Sequence, residues 1–134
     1  MNMDPATLSI VAALSAVSLL AIFAAINLAR NRNFTNDAPV YAASRWTGGN
    51  RVWPTQVAVF ESRVVRHTPR LVGHFEETIP IAQVASVSID AHLFFADVII
   101  ETTGGSKPIV CHGHWKKDAD AIRAAIGGAQ EPKR

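Results

Sequence analysis

The residues with chemical potential are few and scattered. His112 and His114 stand two apart, with Cys111 beside them and His92 upstream. On a regular strand, positions i and i+2 share a face. This pair with His92 or Cys111 is therefore an arrangement with the donor types a transition metal takes. No CxxC or HExxH spacing accompanies it, and His112-Gly113-His114 is expected at a strand-to-helix corner. No metal site is expected, and no cofactor. Glu76 and Glu77 are adjacent carboxylates. Neighbours on a strand point to opposite faces, which predicts a solvated edge in place of an acid–base pair. Ser, His and Asp occur without a nucleophile elbow, and there is no glycine-rich phosphate loop. The expectation is a protein with no catalytic residues and no small-molecule substrate.

Arg63, Arg66, His67 and Arg70 form a basic group in and after one expected strand. Beside anionic lipid, each such residue contributes about 1 kcal/mol. Arg63 and Arg66 fall on opposite faces of a regular strand, and Glu61, Glu76 and Glu77 are close in sequence. Ordinary surface charge is the favoured reading. Headgroup contact by Arg30, Arg32, Arg63, Arg66 and Arg70 is the alternative. Lys and Arg number 13 against 11 Asp and Glu, a formal charge of +2 in 134 residues. Spread that thinly, the charge argues against a nucleic-acid partner. Cys111 is alone, so there is no disulfide framework, and a reducing cytoplasm is consistent.

The element that must position everything else is Thr7 to Ala29, 23 residues without a charge. At about 1.5 Å per residue a helix of that length covers roughly 34 Å, enough for a hydrocarbon core of about 30 Å. A helix satisfies its own backbone hydrogen bonds in lipid. The segment before it, MNMDPA, lacks the basic residues of a secretory signal, and the run is too long for one. A retained anchor is expected, with Asp4 at the N-cap and Pro5 in the first turn. Arg30 and Arg32 follow the run directly. Basic flanks stay inside, so the N-terminus is expected outside an inner (cell) membrane and the rest in the cytoplasm. Ser9 and Ala13, Ala12 and Ala16, and Ala21 and Ala25 each stand four apart. Small-xxx-small spacing admits a second helix, and Ser15, Ser18 and Asn27 are candidates to hydrogen-bond across the contact.

Residues 30–50 read as a linker, punctuated by Asn, Asp, Pro and Gly. Its aromatics Phe34, Tyr41 and Trp46 are candidate contacts with headgroups or a neighbouring subunit, while Trp53 is expected over one end of the core. From 51 to 128 a domain is expected. Val57–Phe60 and Arg63–Thr68 form a strand pair, and His74–Ile81 a third strand with Phe75 and Ile79 inward. Val84–Ile89, Ala96–Thr102 and Lys107–His112 follow, the last two joined by a turn at Thr103-Gly104-Gly105-Ser106. Ala119, Ile122 and Ile126 then fall on one helical face, with Asp118 as cap and Gly127-Gly128 as stop. Residues 1–6 are expected to be an N-terminal tail and 129–134 a polar tail. The fold class is α+β: one transmembrane helix, then an antiparallel barrel or sandwich capped by a C-terminal helix.

The order VAVFESRVVRHTP, HFEETIPIAQVASVSI, ADVIIETTGGSKPIV and KDADAIRAAI resembles the bacterial pleckstrin-homology-like (PH-like) domains. IPIAQVASV resembles their segment after the third strand, and VIIETTGGSKPIV their penultimate hairpin. The resemblance covers 52–127. It implies seven strands where six are visible, the seventh expected at Arg51–Trp53 or Leu93–Phe95. It also implies a binding or assembly module. Two functions follow as expectations. One is a non-enzymatic accessory subunit packed against integral membrane subunits of a larger complex, by analogy a respiratory or photosynthetic assembly. The other is a membrane-surface module that binds lipid headgroups or self-assembles.

Overall fold

A computed structural model describes residues 4–30, 32–105 and 107–132; of Arg30 it describes the backbone. The Arg30 side chain, Ser106 and, of the expected tails, residues 1–3 and 133–134 lie outside the described residues. The chain divides into two compact units, 1–32 and 33–134.

The first unit is helix α1, Pro5–Arg30. The Leu8 N–H donates to the Asp4 carbonyl at 3.1 Å, which places Asp4 just before the first turn and Pro5 within it, where a missing N–H costs nothing. Pro5–Ala29 is long and apolar enough to span a membrane, and its apolar side chains are exposed all round. It is one N-terminal candidate membrane helix.

The second unit is α+β. Seven strands, β1 (Val40–Ala42), β2 (Gln56–Val59), β3 (Arg63–Pro69), β4 (His74–Pro80), β5 (Val84–Ala91), β6 (Phe95–Thr102) and β7 (Ile109–Trp115), precede helix α2 (Lys116–Gln130). They form two antiparallel sheets, β1-β2-β3-β4 and β5-β6-β7, with a single 3₁₀ turn, Ile81–Gln83, passing the chain from one to the other. Pro80 ends β4, an edge strand, where its absent N–H breaks no ladder. The described strands do not close into a barrel.

The core lies between the sheets. Val57, Val59, Val64 and Ile79 come from one, Ala96, Val98, Ile100, Ile109 and Cys111 from the other, and Ala119, Ile122 and Ile126 of α2 fill the remaining side. The alternation of inward residues follows from the period of two along each strand.

Several expectations change. The seventh strand is β1, inside the segment read as a linker, and Ala43, Ser44 and Asn50 beyond it are buried. A three-residue strand leaves too short a pattern to stand out from its Asn, Pro and Gly surroundings. Phe75 shares a face with Ile79 but lies beside the turn at the hairpin tip, 37% exposed. Helix α2 starts from Trp115 without a side-chain cap, so Asp118 sits in its first turn and serves the helix dipole. It continues through Gly127 and Gly128 because Ala129 packs on the core and Gln130 Nε2 donates to the Val84 carbonyl at 2.9 Å.

Candidate functional site

The strand β7 carries the histidines that sequence singled out. It extends to Trp115, so His114 lies in the sheet and not at a corner. Pairing with β6 shifts between Ala96 and Val98, and Gly113 has φ +75°. The extra residue of this bulge breaks the i, i+2 rule. Cys111 and His114 point inward and are fully buried, while His112 is exposed. His112 and His114 therefore do not share a site. Instead His112 Nδ1 lies 2.7 Å from Asp97 Oδ2, and His92 Nε2 lies 3.9 Å from the same oxygen. Asp97 Oδ1 accepts the Gly113 N–H at 2.8 Å. Burial alone would raise the Asp97 carboxyl; the His112 hydrogen bond, the Gly113 N–H and the two imidazoles outweigh it and hold it below its ordinary range. Burial pushes the Cys111 thiol up to about 12, which makes it inert as a nucleophile or ligand. Burial also lowers His114 to about 4, so its ring is neutral. Neither His114 nitrogen has a hydrogen-bond partner.

The basic group divides. Arg66 turns inward, pairs with Glu77 directly across β4, and donates from Nη1 to the Val110 carbonyl of the other sheet. Its guanidinium ties the two sheets together and is largely spent inside the fold. Arg63 lies over the Phe60 ring at 4.4 Å and Arg70 over Phe75 at 5.2 Å. Both are exposed. Between Arg70 and Gly73, Leu71 and Val72 stand 75% and 87% exposed at the hairpin tip. Arg32 is exposed in the other unit.

Of the linker aromatics, Phe34 stacks on His67 at 4.7 Å and its N–H donates to Gln56 Oε1 at 3.1 Å. Tyr41 packs against the core from β1. Trp46 is 84% exposed. Trp53 is half-buried. The segment after β1 is fastened across β7: the Ser44 N–H donates to the Gly113 carbonyl at 2.7 Å. Asn50 Nδ2 donates to Thr47 Oγ1 and to the His112 carbonyl, and its Oδ1 accepts the Thr55 N–H.

On α1, the polar side chains look inward along their own helix. Ser9, Ser15 and Ser18 donate to the carbonyls four residues back at 2.9 Å, and Asn27 Nδ2 to Phe23 at 3.0 Å. Their hydrogen-bonding capacity is met without a second helix, which lowers their cost in lipid. At about 100° per residue, Ser9, Ala12, Ala13 and Ala16 gather on one face, while Ala21 and Ala25 fall roughly 120–160° round from Ser9. The small residues make two short patches and not one stripe.

Sequence reasoning missed the outer face of the β3–β4 hairpin. There His67, His74 and Glu76 converge, their ligating atoms within 4.8 Å of one another. Burial and then the neighbouring His74 charge lower the His67 pKa, against the pull of Glu76. The signal was present as the alternation His67, Pro69 and His74, Glu76 either side of one turn. Reading it required the register.

The geometry defines a class only coarsely: an α+β domain following one candidate membrane helix. No family model, no curated protein and no solved structure matches the chain.

Proposed function

We propose that this is a non-enzymatic single-pass membrane protein, an accessory subunit whose helix packs into a larger membrane protein complex. In this reading its PH-like domain holds that complex on the cytoplasmic face of the inner membrane. The observation that carries the reading is α1 itself: apolar on every side, fully exposed, with its serines and Asn27 already hydrogen-bonded. Such a helix needs lipid or other helices around it and presents small residues where a neighbour can approach. The order of four strands, three strands and a closing helix supports a PH-like domain. The exposed Trp46 supports a protein partner, since a large aromatic offers contact area at low entropic cost.

Lipid binding is the second reading. Exposed Leu71 and Val72 at a hairpin tip, with exposed Arg70 beside them, suit an anionic bilayer surface. Mild detergent extraction followed by native separation and crosslinking discriminates the two. The first predicts stoichiometric co-migration with integral membrane subunits. A free protein or homo-oligomer with affinity for anionic vesicles overturns it in favour of the second.

A further inference from the structure

His67, His74 and Glu76 occupy the face of the β3–β4 hairpin turned away from the core. Antiparallel pairing sets His67 opposite Glu76 and Pro69 opposite His74, so the three side chains leave the same side of two strands. The His67 ring is fixed between two neighbours, Phe34 at 4.7 Å and His74 at 4.8 Å between centroids. Its Nδ1 is buried, 3.7 Å from Glu76 Oε2, and has no hydrogen-bond partner. A buried ring nitrogen left unpaired beside a carboxylate and a second imidazole has a lone pair to offer a metal ion.

We propose that these three residues bind one divalent transition-metal ion of the zinc class. Two imidazoles and one carboxylate suit zinc, cobalt, nickel or copper, whereas magnesium and calcium take oxygen donors throughout. Around a zinc with bonds of about 2.0–2.1 Å, tetrahedral ligand atoms lie roughly 3.4 Å apart. The present separation of up to 4.8 Å closes by side-chain rotation of His74 and Glu76, which are exposed, while the strands and the His67 ring, stacked on Phe34, stay in place. Coordination beyond the three protein ligands is left to water. The other His–carboxylate group differs: Asp97 has one oxygen on the Gly113 N–H and the other on His112, so its carboxylate is already engaged.

The test is titration of the full-length protein in detergent micelles with cobalt(II), then zinc(II). One equivalent of cobalt develops visible d–d bands, zinc displaces it, and millimolar magnesium does not. Second-sphere changes already weaken metal sites about 10–100-fold, so His74→Ala and Glu76→Gln each weaken binding by at least about 10-fold. Thermal melting of the metal-free variants stays at the wild-type value because both side chains are exposed. His112→Ala binds as wild type, and X-ray absorption of the zinc-loaded protein shows two imidazoles. The proposal is overturned by the lack of saturable cobalt or zinc binding, by wild-type affinity in His74→Ala and Glu76→Gln, or by loss of binding in His112→Ala.

Discussion

At Gly113 the backbone sits at φ +75°, and a Cβ at this position would lie 2.1 Å from Thr47 Oγ1 and 2.6 Å from Thr47 Cβ. Both the left-handed conformation and the close approach exclude a side chain. Gly113→Ala is expected to lower stability by at least about 1–3 kcal/mol, read as a shift in the urea midpoint of the detergent-solubilised protein. Combining it with Thr47→Gly removes the clash but not the strain, so the double variant recovers part of the loss; no recovery would refute the steric component. His114 shows a second residue-scale effect. Its pKa falls from 6.5 to about 4 through burial, so below pH 6.5 the unfolded chain takes up a proton that the folded chain refuses. Stability is unaffected by this group above pH 6.5, declines as pH falls from 6.5 toward 4, and levels off below. The full loss is about 3 kcal/mol. His114→Leu is expected to flatten that part of the stability–pH curve, and an unchanged slope would remove His114 as the cause.

The loop from Ala43 to Asn50 works at the scale of elements. It is part of the connection from β1 to β2, yet two of its hydrogen bonds, from Ser44 N–H and Asn50 Nδ2, go to β7 in the other sheet. Together with Arg66 reaching the Val110 carbonyl, it ties β7 to the four-stranded sheet along a flank that strand pairing leaves open. Edges left bare would offer unpaired N–H and carbonyl groups to other chains. Asn50 is the hinge of this fastening, with three bonds from one buried amide. Asn50→Leu leaves the Thr55 N–H without its acceptor and the His112 carbonyl without a donor, a cost of about 2–3 kcal/mol. Hydrogen exchange at Thr55 and along β7 is expected to accelerate in this variant before that of α2. Protection unchanged at those amides would contradict the role given to Asn50.

For the whole molecule, the uncovered helix and the domain pose separate requirements. The domain buries its own core; α1 is apolar without a core to join. Its two small-residue patches face different directions, which sharpens the accessory-subunit proposal. Ala16→Leu fills the face shared with Ser9, Ala12 and Ala13, and Ala21→Leu the face shared with Ala25. Each is expected to weaken retention in a native complex without blocking membrane insertion, because leucine costs nothing in lipid but prevents close helix approach. Full co-migration of both variants would refute packing at these positions. Loss in one alone would assign the contact to that face.

Helix α1, six of the strands and the buried face of α2 were all legible in the linear pattern. Apolar length and periods of 2 and 3.6 are local properties, and a local property is written in the order of residues. What lay beyond it was set by register. A one-residue bulge at Gly113 separated His112 from His114. A three-residue strand turned part of an apparent linker into the edge of a sheet. Cross-strand pairing turned Arg66 toward the opposite sheet and assembled His67, His74 and Glu76. These contacts join residues whose separation along the chain carries no mark of their meeting, so only the folded arrangement of the two sheets decides them.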